Sequence, residues 1–207
     1  MKLKVCGMNH NIAEVAAIRP DYLGFIFWDK SSRFFDGEIP TFPETIKKVG
    51  VFVDASIDEI LYTISKYSLD AIQLHGDESM EYCSELKHRL LASMEIIKVF
   101  SVKNEFDFSV LKSYEFPVDY FLFDTKGELP GGNGYTFDWS VLKNYPSTKP
   151  YFLSGGIGPE SIQDIRNFLK RPEATYCHAL DVNSRFEERP GLKNIEKLKL
   201  FKAALSI

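Results

Sequence analysis

Eight short apolar runs punctuate the chain, at 2–6, 22–27, 49–53, 71–74, 95–100, 120–124, 150–153 and 177–181. Most are continuously apolar rather than alternating, the pattern of strands covered on both faces. Between them the period changes. Ile57, Ile60, Leu61 and Ile64 recur at helical spacing within 56–67, as do Met80, Cys83 and Leu86 within 79–90. Ile195, Leu198, Phe201 and Leu205 repeat the pattern in 194–205, and 160–170 reads as a further helix. Ser56 stands where an N-cap belongs, with Glu59 three residues on to complete a capping box. The sixth interval is weaker: Trp139 to Leu142 leaves a turn or so before Pro146.

Sharing 207 residues among eight runs leaves about 26 per unit, room for a strand and a short crossover helix. Regular alternation implies right-handed crossovers and a parallel sheet. The pattern predicts an α/β fold, a single (β/α)₈ TIM barrel forming one catalytic domain over 1–207. Its competitor is an open doubly wound sheet. That fold carries a glycine-rich turn after its first strand, whereas Cys6-Gly7-Met8-Asn9 offers one glycine.

Composition narrows the picture. A hydrophobic content of 44% supports a core without disulfides or metals. A net charge of −4 argues against broad nucleic-acid binding, which needs a positive surface, yet leaves room for a local cationic pocket. Three scattered cysteines read as reduced thiols, no signal peptide is evident at Met1-Lys2-Leu3-Lys4-Val5, and no stretch approaches a membrane span. The expectation is a cytoplasmic protein acting on a small molecule, with no nucleic-acid or membrane partner. Exposed aromatics on the helices leave a homodimer open.

In such a barrel the carboxyl ends of the strands converge on one face, so residues distant in sequence become neighbours. Cys6 closes the first run; it is either a buried small hydrophobe or a base. Asp124 closes the sixth, as an Asx turn or cap, or as a general acid raised by partial burial. Ser154-Gly155-Gly156-Ile157 after the seventh run and Asp181-Val182-Asn183-Ser184 after the eighth fit the phosphate site that barrels build from their last two loops. Arg33 lies among aromatic residues, as a carboxylate clamp or a solvated loop arginine. His75 lines the pocket or serves structure. The loop Leu129-Pro130-Gly131-Gly132-Asn133-Gly134 reads as a turn or a mobile cover. Cys83 and Cys177 read as structural, and no metal site is expected.

These segments together resemble the phosphoribosylanthranilate isomerase family over essentially the whole chain. The matching stretches are KVCGM at 4–8, YLGFIF at 22–27, KSSRF at 30–34, VGVFVD at 49–54 and IQLHGDE at 72–78. FDT at 123–125, GGNGYTFDW at 131–139, LSGGI at 153–157 and DVNSRFE at 181–187 complete the series. The resemblance implies a TIM barrel that performs an Amadori rearrangement without a cofactor. Cys6 would be the general base, held as thiolate, and Asp124 the general acid. Arg33 would hold the anthranilate carboxylate, Gly155, Gly156, Asn183 and Ser184 would surround the phosphate, and Asp181 would meet the anthranilate amino group or order the pocket. The chain departs from the family pattern at Ser32, where proline is usual, at GGNG for GGTG, and at Arg185-Phe186 for Gly-Val. That last change puts the backbone of the eighth loop in question. Two other readings remain: isomerisation of the related aminoaldose of histidine biosynthesis, and a phosphate-binding barrel without catalysis.

Overall fold

The computed structural model describes residues 1–103, 105–125 and 138–206. Eight parallel strands close into a barrel in chain order: β1 (Lys2–Val5), β2 (Tyr22–Ile26), β3 (Lys47–Phe52), β4 (Ala71–Leu74), β5 (Glu95–Val102), β6 (Tyr120–Thr125), β7 (Tyr151–Leu153) and β8 (Cys177–Val182). Closure comes where β8 returns to β1, with Lys4 opposite Asp181 and Val5 opposite Val182. The continuously apolar runs are explained by two cores. Inside the barrel, Val49, Ala71, Ile97, Leu122, Phe152 and Ala179 pack on one another. Outside it, neighbours such as Leu3, Phe25, Leu74 and Phe121 pack in the other core with residues of the surrounding helices. A strand buried on both faces leaves no position for polar alternation.

The outer layer consists of α1 (Ile12–Ala17), α2 (Ile57–Tyr67), α3 (Met80–Arg89), α4 (Leu111–Tyr114), α5 (Ile162–Phe168) and α6 (Ile195–Leu205). Ser56 caps α2 as its sequence indicates, Oγ accepting from Glu59 N at 3.2 Å. Asn194 does the same for α6 through Lys197 N at 2.8 Å. The weak sixth interval holds a 3₁₀ segment, Trp139–Asn144. The helix expected over 160–170 is split into a 3₁₀ turn, Pro159–Ser161, followed by the shorter α5.

Alternation fails between β2 and β3. Residues 27–46 contain turns and a single bridge, Ile26 to Phe34, but no helix. Gly37, Pro40 and Pro43 break helical continuity there. Phe35 covers the barrel instead, with its ring 5.0 Å from Phe25 and 5.7 Å from Tyr67 of α2. A second departure follows the eighth strand. There, β9 (Glu187–Arg189) and β10 (Leu192–Lys193) form a small antiparallel hairpin before α6.

Candidate active site

A cavity of about 360 Å³ opens at the carboxyl ends of the strands. Cys6, Asp124 and Arg33 line it, together with Gly155, Gly156, Asp181, Asn183 and Ser184. All eight candidates read from the sequence therefore share one pocket. The loop at 129–134 lies outside the described residues.

Cys6 lies one residue past β1 and is buried. Its sulfur rests over the backbone of Gly24 on β2, where an added Cβ would meet Sγ at 2.8 Å. Glycine at 24 makes the seat for the thiol. Burial pushes the Cys6 thiol above its ordinary value, while the positive charges of Lys4 and Lys193 pull it back. The thiolate expected from the sequence is therefore opposed by desolvation. Lys4, two residues earlier on β1, is fully buried and donates to Asp181 Oδ2 at 2.9 Å. Burial raises the Asp181 carboxyl, and Lys4 counters it. The remaining oxygen, Asp181 Oδ1, is buried and accepts no hydrogen bond among the described residues; the same is true of Gln73 Oε1.

Asp124 sits near the end of β6, its Oδ2 3.5 Å from His75 Nε2. Gln73 Nε2 stands 3.1 Å from the other ring nitrogen, so β4 fixes the imidazole that faces the carboxyl group. His75 thus lines the pocket.

Arg33 is neither a solvated loop arginine nor an unoccupied clamp. Its Nε and Nη2 donate to the Glu187 carboxylate at 2.9 and 2.7 Å, and Lys193 Nζ reaches the same Oε1 at 2.7 Å. Lys193, itself buried, also donates to Asn183 Oδ1 at 2.7 Å. Arg33 and Lys193 hold the Glu187 carboxyl below its usual range although burial, the largest influence, pushes it up. The hairpin β9–β10 therefore anchors both Arg33 and Asn183. Sequence reasoning missed Lys4, Glu187 and Lys193. Only Lys4 left a trace, being a lysine within an apolar strand and two residues from Cys6.

The glycine pair follows β7. Gly155 has φ +91° and a Cβ there would fall on Thr125, whose backbone N would be 2.5 Å away. Only glycine fits that turn. The eighth loop needs no glycine at 185: Ser184–Phe186 forms a 3₁₀ turn, and Arg185 is not among the positive-φ residues. Phe186 packs inward, its ring 4.8 Å from Phe201 of α6.

Such a mouth supports proton transfer on a small anionic molecule, and with the barrel beneath it the protein falls in the class of TIM-barrel enzymes. Comparison narrows the class. Residues 3–204 match the family model described as N-(5'-phosphoribosyl)anthranilate (PRA) isomerase, and the chain belongs to that family of isomerases. It is 46% identical to the N-(5'-phosphoribosyl)anthranilate isomerase of Parabacteroides distasonis, over 97% of this chain and 91% of that protein. The Thermotoga maritima relative of the same name is 35% identical over 97% and 96%. Among solved structures, the phosphoribosyl anthranilate isomerase of Thermus thermophilus superposes with a TM-score of 0.84 at 27% identity, covering 100% of this chain and 98% of that one. A second isomerase, solved with reduced 1-(o-carboxyphenylamino)-1-deoxyribulose 5-phosphate, gives 0.75 at 27% identity, with 100% of both chains covered.

Proposed function

We propose that this chain converts N-(5'-phosphoribosyl)anthranilate to 1-(2-carboxyphenylamino)-1-deoxyribulose 5-phosphate in tryptophan biosynthesis, with Cys6 and Asp124 as its acid–base pair. The observation that carries the residue roles is their convergence on one cavity, with Arg33 and the Gly155-Gly156 turn in its wall. The protonated Asp124 carboxyl gives its proton to the furanose ring oxygen as the C1–O bond breaks, leaving a protonated imine at C1. Cys6, as thiolate, removes the C2 proton to form an enolamine, which tautomerises to the aminoketose. Hydrogen moves from C2 to C1, and no external electron acceptor is consumed. His75 positions the Asp124 carboxyl group.

The remaining residues bind. Gly155, Gly156, Asn183 and Ser184 surround the phosphate, and Arg33 takes the anthranilate carboxylate while Glu187 holds the other edge of its guanidinium. Asp181 Oδ1, a buried acceptor with no hydrogen bond among the described residues, receives the anilino N–H. Lys4 and Lys193 supply positive charge that works against desolvation of the thiolate.

The test follows substrate fluorescence loss in the wild type, Cys6→Ala and Asp124→Asn. Each variant should lose roughly 100- to 10,000-fold in kcat while keeping its melting temperature. Near-normal turnover in either one rejects that group's role, and a silent wild type rejects the reaction. We further propose a single catalytic domain over 1–207 in the cytoplasm. No described helix is long and apolar enough to cross a membrane. One solved Thermotoga maritima structure is of monomers generated from a dimeric phosphoribosylanthranilate isomerase, and a homodimer is proposed for this chain, to be decided by light scattering.

A further inference from the structure

Arg185 stands where the family pattern has glycine, and its side chain lines the cavity beside Gly155, Gly156 and Ser184. Its Nη2 lies 3.2 Å from Glu160 Oε1. The Glu160 carboxylate curls over the seventh loop, so that a Cβ on Gly158 would meet Oε1 at 2.5 Å. A negative side chain therefore lies beside Gly158, two residues beyond the glycine pair that would receive a dianion, and Arg185 pairs with it. The cationic side chains of the described cavity wall are Lys30, Arg33 and Arg185. Lys30 and Arg33 belong to the β2 loop, and Arg33 is already bidentate to Glu187. The neutral glycine turn and the Asn183 and Ser184 side chains bring hydrogen bonds but no charge.

We propose that Arg185 is a phosphate ligand of this chain, and that it exchanges Glu160 for the phosphate of the bound substrate. The proposal rests on the phosphate end of the function proposed above. Both partners of the resting pair are about half exposed, at 45% and 58% for Arg185 and Glu160. Such a pair is weakly held, whereas a phosphate dianion offers the guanidinium two charge-assisted bonds in fork geometry. Glu160 thereby becomes a competitor for the arginine and opposes the incoming anion.

Two readouts test this, KM for the phosphorylated substrate and the Kd of inorganic phosphate by calorimetry at low ionic strength. Arg185→Ala should raise both by roughly three- to thirtyfold with kcat within about twofold, the range for a partly exposed charge-assisted hydrogen bond. Glu160→Gln should lower both by roughly twofold or more, because it removes the competitor. Arg189→Ala, an exposed arginine of the hairpin that does not line the cavity, should leave both unchanged. Equal weakening by Arg189→Ala, or unchanged constants in Arg185→Ala, overturns the proposal; unchanged or weakened binding in Glu160→Gln overturns the exchange. A wild type that binds phosphate through Arg185 yet turns over no substrate supports the ligand and rejects the function above.

Discussion

Lys4 illustrates how much of the site rests on residues that never touch its surface. Its ammonium group is fully buried between Asp181 and Cys6, so burial works against it, yet those two neighbours hold its pKa above the ordinary value. Removing the cation leaves a carboxylate in the barrel interior with nothing to balance it. Lys4→Met should cost about 3–5 kcal/mol in urea unfolding, the usual result of breaking a buried pair from one side. Lys4→Met combined with Asp181→Asn should regain part of that loss, and a double variant no more stable than the single one would show that the pair is not the cause. Cys6 and Asp124 were legible in the sequence because each ends an apolar run in a reactive group. Glu187 was not: its carboxylate meets Arg33 across 154 positions of chain, and only the folded hairpin brings the two together. Gly24 was equally silent, because the need for an absent side chain appears only when Cys6 Sγ is seen above it.

At the scale of elements, strands read more truly than the segments between them. A strand buried on both faces must be apolar at nearly every position, so its run stands out whatever surrounds it. A crossover has only to cover one face, and residues 27–46 do so with Phe35 and neighbouring rings instead of a helix. The hairpin β9–β10 pairs only a few residues and carries little periodicity, although it places Glu187 and Lys193. Helices with a cap and a stripe were legible, and their caps carry measurable energy. Ser56 Oγ takes one of the unpaired N–H groups at the start of α2, and its removal leaves that group to water. Ser56→Ala should therefore lower unfolding free energy by about 1 kcal/mol, within a range of 0.5–2, while Ser56→Gly should cost only a few tenths. An unfolding free energy unchanged in Ser56→Ala would show that the cap bond contributes nothing.

Viewed whole, the barrel carries polar groups at both ends, and the pocket that gathers the candidate residues lies at the carboxyl end of its strands. At the amino-terminal end of the strands, His178 sits among rings, 2.9 Å from Tyr22 Oη and 4.7 Å from the centroid of Tyr120. Desolvation is the main reason its pKa falls to about 4, with Lys2 and Lys47 adding repulsion and Asp21 opposing them. In the unfolded chain the imidazole regains an ordinary value near 6.5. Between those two values the unfolded state binds the proton that the folded state refuses, so stability rises with pH across that window. The contribution is complete above about pH 6.5 and disappears as pH falls toward 4. Carboxylates also lose charge in this range, so the wild-type melting curve alone does not isolate the histidine. The difference between wild type and His178→Gln does, because glutamine keeps a hydrogen-bonding group without the titration. Melting temperature should drop less steeply for the variant from pH 6.5 to 4.5, even where its absolute stability is lower. Parallel slopes for the two proteins would place the acid sensitivity elsewhere, among the carboxylates of the opposite end. Because His178 is half-buried, water screens it and the effect is smaller than a fully buried imidazole would give. Its sign is fixed by which state refuses the proton, and that follows from packing aromatic rings around a basic group at the amino-terminal end of the barrel.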